Sequence, residues 1–140
     1  MDTSIFSNLN WLHILVATVA YFAFGAIWYA PLFGKTWARL HKVSMDDDGD
    51  AMKGFAAIMA TGFVTTFFVT TALAILVSRL QLTEVLSGIK LGAFTGLFFS
   101  AAAISITYLY LRKPIGLHLI EGGYHVIGQM IAASILVAWQ

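Results

Sequence analysis

Four mainly apolar runs, at residues 9–29, 55–77, 89–111 and 115–139, fill most of a 140-residue chain. About 20 such residues at a rise of about 1.5 Å each make a helix as long as the hydrocarbon core of a bilayer is thick. A water-soluble fold of this size has no interior large enough to hide four of them. Charge points the same way: 11% of the residues are charged and 59% hydrophobic, where soluble domains carry roughly a quarter charged. Backbone N–H and C=O groups in lipid must pair within their own segment, which favours helices. The expectation is an all-α polytopic membrane protein, one domain of four transmembrane helices. Trp11, Trp28, Tyr29, Tyr108, Tyr110 and Trp139 lie near run ends, as interfacial aromatic belts do.

The first run reads as a retained anchor. The segment before it has Asp2 and no Lys or Arg, and no small-residue cleavage site follows. Lys35, Arg39, Lys42 and Lys53 in the first loop and Arg112 and Lys113 in the third stand against only Arg79 and Lys90 on the opposite side. This bias places the first and third loops in the cytoplasm and both termini outside, and the expected setting is a bacterial cytoplasmic membrane. A formal charge of +1 argues against a nucleic-acid partner, and the absence of cysteine excludes disulfides, thiolate metal sites and c-type haem attachment.

The first loop has a pattern of its own. Residues 31–43 read PLFGKTWARLHKV, with Pro31 suited to a first helical turn. Phe33, Trp37 and Leu40 recur at i, i+4 and i+7, and Lys35, Arg39 and Lys42 repeat that spacing on another face. The pattern predicts a helix lying in the interface, rings toward acyl chains and cations toward headgroups, so the lipid bilayer is its expected partner. Asp46, Asp47, Asp48 and Asp50 follow, but the twelfth position from Asp46 is Ala57, so the run is not a calcium loop. Solvated acids near the start of the second helix are expected instead.

In the third run Gly88, Gly92, Gly96 and Ser100 recur every four residues, and Ala103 and Thr107 continue the ridge. Membrane helices associate through such small residues, so a close neighbour is expected along this ridge, within the chain or in a second copy. Gly128 and Ala132 repeat the theme in the fourth run. The threonines of the second run, Thr61, Thr65, Thr66, Thr70 and Thr71, are expected to bond back to carbonyls of their own helix.

The fourth run carries the chemistry. His118, Glu121, His125 and Gln129 fall within about 80° of one another on a helix, and Ile120, Ile127, Ile131 and Ala138 lie opposite. Glu121 would sit roughly 9 Å and His125 roughly 15 Å into the run. An ionised carboxylate at such depth is costly unless it is paired or wet. His118 at i−3 and His125 at i+4 are both placed to reach it. Asn10 and His13 at the far end would continue a broken polar ladder. The runs and motifs Asn10-Trp11, Trp28-Tyr29-Ala30-Pro31-Leu32-Phe33-Gly34-Lys35-Thr36-Trp37 and Gly122-Gly123-Tyr124-His125 resemble the small membrane-protein family catalogued as domain of unknown function 1761. That resemblance covers essentially the whole chain and implies a four-helix membrane protein, with no established activity.

Two functions follow from the stripe. In one, the protein binds or translocates protons, ions or a small polar solute through His118, Glu121, His125 and Gln129, continued by His13 and Asn10, as a homo-oligomer. In the other it is a non-catalytic accessory or scaffold subunit of a larger membrane complex, with the stripe as interhelical glue. No cofactor and no metal is expected. His118 and His125 stand about 10 Å apart along one axis, too far to share an ion, so Glu121 and His125 are nominal ligands only, and any others would have to come from His13, from His41 or from a second copy. No G-x-S-x-G or phosphate loop suggests an enzyme. The Gly122-Gly123 pair either permits close packing or unwinds a turn.

Overall fold

The computed structural model describes residues 4–42 and 49–139. In chain order it contains α1 (Ser4–Ser7), α2 (Trp11–Ile27), a π-helical turn π1 (Trp28–Leu32), α3 (Gly34–His41), α4 (Gly49–Arg79), α5 (Val85–Thr95), a second π-helical turn π2 (Gly96–Ala101), α6 (Ala102–Tyr110) and α7 (Ile115–Ala138). No strand occurs among the described residues. Four continuous stretches are long and apolar enough to cross a membrane: Trp11–Leu32, Gly54–Arg79, Val85–Tyr110 and Ile115–Ala138. The all-α, four-span expectation is thus met. Asp46, Asp47 and Asp48 lie outside the described residues.

Two boundaries moved for local reasons. The first span runs on to Leu32 because Pro31, which has no N–H, is absorbed into π1, where the Phe33 amide reaches back to the Trp28 carbonyl at 2.9 Å. Pro31 therefore ends the span, and α3 opens later, at Gly34. The third span begins at Val85 after Glu84, four residues before the apolar run predicts.

The fourth span is the axis of the bundle. Its mean hydropathy, 1.2, is the lowest of the four, yet 44% of its apolar window is buried against 28, 22 and 17% in the first, second and third spans. The least lipid-like helix is the one taken out of lipid. Around it the core gathers Ile14, Ala17, Tyr21, Leu73, Ala74, Val77, Ala132, Leu136 and Val137.

α5 packs on α7 through the glycine ridge. A Cβ added to Gly88 would lie 2.8 Å from the Ala133 carbonyl oxygen, and one on Gly96 would lie 2.5 Å from the Val126 Cα. Gly92 presses directly on the Gln129 and Met130 backbone. The neighbour of this ridge is α7 of the same chain. Ser100 closes the seam, its hydroxyl accepting from the Gln129 amide at 2.6 Å. Beyond it the ridge ends: Ala103 and Thr107 are exposed. The wide turn π2 has put the third span out of step with a four-residue repeat, so its continuation rotates away from α7.

Gly128 serves another neighbour, since the Tyr21 ring of α2 occupies the space its side chain would need. α7 stays helical through Gly122 and Gly123, which are packing points: added Cβ atoms would lie 3.0 Å from the Ala101 Cβ and 3.1 Å from the Trp28 ring. In α4 the Thr65, Thr66, Thr70 and Thr71 hydroxyls donate to carbonyls of their own helix at 2.8–3.0 Å.

Candidate functional site

Glu121 lies in the second turn of α7, its side chain 16% exposed. Neither histidine of its own helix pairs with it. Its partners come from π1 and α3. The Tyr29 hydroxyl donates to Oε2, and the Trp37 indole N–H donates to Oε1 at 2.6 Å. The His41 Nε2 stands 3.9 Å from Oε1 and is buried without a hydrogen-bond partner.

Local structure explains how residues 84 and 92 positions apart in sequence meet at one carboxylate. π1 keeps Trp28 and Tyr29 turned to α7, and the Trp28 indole N–H anchors the turn by donating to the Ile120 carbonyl at 3.0 Å. The chain then reverses tightly. A Cβ at Gly34 would lie 2.6 Å from the Tyr29 carbonyl oxygen, so the reversal requires glycine there. α3 folds back over the start of α7 with Leu40 against Gly116, where an added Cβ would be 2.8 Å from Leu40 Cδ1. Trp37 and His41, one turn apart on α3, pack with their rings tilted at 44° and centroids 4.4 Å apart, and Tyr108 lies edge-on to His41 at 6.3 Å.

A polar column continues toward the middle of the bundle. Tyr124 packs edge-on against Tyr29 at 5.2 Å and lies 4.8 Å from the His125 ring. His125 Nδ1 pairs with the Tyr21 hydroxyl at 2.6 Å, and Tyr21 also faces Gln129, which bonds Ser100. From Glu121 to Gln129 the column spans roughly 12 Å of α7. There it stops. Buried Ile14, Ala132 and Leu136 form an apolar layer between Gln129 and the opposite end. At that end the Asn10 amide donates to His13 Nε2 at 3.1 Å and His13 stacks on Trp139 at 4.9 Å, beside a cavity of about 420 Å³.

The family model described as "Protein of unknown function (DUF1761)" matches residues 12–137. The chain belongs to this family. No curated protein and no solved structure matches it. The matched segment contains π1, α3, Glu121 and the whole polar column.

Against the sequence expectations, Glu121, His125 and Gln129 fall in one column. His118 does not join them; its Nε2–H points to the Lys113 carbonyl at 3.4 Å and its ring meets Tyr108. Asn10 and His13 lie beyond the apolar layer, and the Asn10 side chain also caps α2 by accepting from the Leu12 and His13 amides. The apolar face of α3 has a different neighbour from the acyl chains expected: Trp37 and Leu40 turn onto α7, and Phe33 packs on Trp28 at 4.5 Å. Lys35, Arg39 and Lys42 are exposed as the spacing predicts. Trp28 and Tyr29 face inward, whereas Trp11, Tyr110 and Trp139 stay on the exterior. Because Trp28 and π1 cover that side of α7, Ile120 is buried, and Leu119 and Ile127 are exposed in its place. Sequence reasoning missed Tyr29, Trp37 and Tyr21 as site residues, and weighed His41 only as a further metal ligand beside Glu121. The only signal was the concentration of Tyr29 and Trp37 in the WYAPLFGKTW motif. No cluster of three or more metal-ligating side chains occurs among the described residues, and Glu121 has one imidazole within reach.

Proposed function

We propose that this DUF1761 protein handles protons or a small polar or charged solute at the membrane, with Glu121 as its protonatable centre. The observation that carries this is a carboxylate placed inside a membrane bundle, held by two neutral donors, with an otherwise unpartnered imidazole 3.9 Å away. Tyr29 and Trp37 stabilise the ionised form without fixing a positive charge beside it. His41 is the group that can take and return a proton. Intramembrane acids of this kind are usually tied to ion or proton traffic. His125, Tyr21 and Gln129 extend the polar interior, and the cavity at Asn10 and His13 is its counterpart on the other side.

The Lys/Arg bias supports placing the α3 end on the cytoplasmic side. A passage through one copy is closed by the Ile14, Ala132 and Leu136 layer, so a homo-oligomer is part of the proposal. Reconstitution tests it. Liposomes with a lumenal pH dye should show proton flux with the wild type that falls at least about tenfold with Glu121→Gln. Equal flux from both proteins would remove Glu121 from the function.

A second reading rests on the exposed cations Lys35, Arg39 and Lys42. They would dock an accessory subunit onto an acidic partner in a larger membrane complex, with the Glu121 bonds serving as glue. Silence in the flux assay together with co-purification that is lost on Lys35→Gln/Arg39→Gln would select it.

A further inference from the structure

The cavity of about 420 Å³ lies at the end of the bundle opposite α3, where α2 begins and α4 and α7 end. Its volume falls in the range of sites that enclose a small molecule. The floor is apolar: Ile14, Val77 and Leu136 line it and are 1, 1 and 5% exposed. The rim is polar. His13, Ser78, Gln81 and Thr83 line it, and the side chains of the last three are exposed and bond to no other described residue. No Lys, Arg, Asp or Glu lines the cavity among the described residues.

Two rim groups are set by the fold around them. The Asn10 Oδ1 accepts from the Leu12 and His13 amides, which leaves its Nδ2 to donate to His13 Nε2. A neutral imidazole whose Nε2 accepts carries its proton on Nδ1. That N–H has no partner among the described residues, and the stack on Trp139 holds the ring in place. Gln81 ends α4 with a left-handed φ of 50°, in a turn where the Leu82 amide donates to the Val77 carbonyl at 3.1 Å. Glycine suits such a position best. Glutamine holds it against a steric penalty and brings a side-chain amide to the rim.

The lining selects the occupant. An ion would shed water against the apolar floor and meet no opposite charge. A wholly apolar molecule would displace water from the rim and return none of its hydrogen bonds. A neutral molecule with an apolar body and one polar end satisfies both surfaces. We propose that this cup binds a small uncharged amphipathic molecule, its body on Ile14, Val77 and Leu136 and a carbonyl-type acceptor on the His13 Nδ1–H and the Gln81 amide. The site goes beyond the reading of Glu121 and stands apart from it, across the Ile14, Ala132 and Leu136 layer.

The test uses the full-length chain in nanodiscs of zwitterionic lipid, with empty nanodiscs as the partition baseline. Three probes of one shape, naphthamide, naphthoate and naphthamidinium, are titrated by fluorescence near neutral pH. Naphthamide should bind saturably and at least about tenfold more tightly than either ion. Gln81→Gly should weaken naphthamide about fivefold while the melting temperature holds or rises, because glycine relieves the left-handed turn. A merely structural role for Gln81 would not separate the two readouts. Thr83→Asp, whose charge suits the N-terminus of α5, should bring naphthamidinium to within about threefold of naphthamide or tighter. Glu121→Gln should bind naphthamide as the wild type does. Should Thr83→Asp fail to fold, Gln81→Gly decides the matter alone. The proposal is overturned if naphthamide does not saturate above the empty discs, if either ion binds the wild type as tightly, or if either folded variant, Gln81→Gly or Thr83→Asp, leaves all three affinities unchanged. Glu121-dependent proton flux without naphthamide binding would discard the cup and keep the Glu121 reading; binding without flux would do the reverse.

Discussion

The two sides of α7 are built by opposite means. Toward α5 the contact is made by what is missing: Gly88, Gly92 and Gly96 let two backbones touch, and polar chemistry enters only where Gln129 meets Ser100. Toward α2, π1 and α3 the contact is made by large side chains, Tyr21, Trp28, Tyr29 and Trp37, each aimed at a group on α7, with Tyr124 of α7 packed against Tyr29. Since apolar surface gains little by leaving lipid, dispersion at close approach holds the first side and hydrogen bonds hold the second. The dry side is a continuous seam between two long helices, whereas the aromatic side ends in a helix of eight residues.

The comparison can be broken first on the dry side. Gly92→Leu should have the largest effect, because the new side chain would need space taken by the Gln129 and Met130 backbone. A loss of about 3 kcal/mol or more is expected, read as collapse of the folded fraction on thermal denaturation in detergent. Gly54→Ala is its control: nothing lies within 4 Å of a Cβ there, and a change within about 0.5 kcal/mol is expected.

On the aromatic side the effects are smaller and separable. Glu121→Leu leaves the Tyr29 hydroxyl and the Trp37 N–H without an acceptor and should cost about 2 kcal/mol, whereas Glu121→Gln, which keeps a carbonyl oxygen, should cost under about 1 kcal/mol. Comparable losses from Leu and Gln would mean that the two donors find other partners. Tyr21→Phe removes one buried bond to His125 and should cost about 1 kcal/mol by the same melting assay.

The difference between the sides also explains what the sequence disclosed. The four spans are visible because length and apolarity act residue by residue. The glycine ridge is visible because it is periodic, up to the point where π2 breaks the period and turns Ala103 and Thr107 outward. The stripe of Glu121, His125 and Gln129 is visible for the same reason. Their partners are not, because a helix periodicity reports which residues share a face and says nothing of which face of another segment meets it. His118 and His125 have the right spacing to reach Glu121, but Tyr29 and Trp37, far away in sequence, approach it head-on and offer better directed donors. Trp37 and Leu40 illustrate the same limit. An amphipathic segment must bury its apolar face, and here α7 provides a closer surface than lipid, with Gly116 and Gly34 clearing the way.

The most direct measurement is a double-mutant cycle on unfolding free energy between Trp37→Phe and Glu121→Leu in detergent. If the indole of α3 is bonded to the buried carboxylate of α7, the two substitutions together should cost about 1 kcal/mol less than the sum of each alone. Additivity to within about 0.3 kcal/mol would mean that α3 does not hold Glu121, and the site as described would not exist.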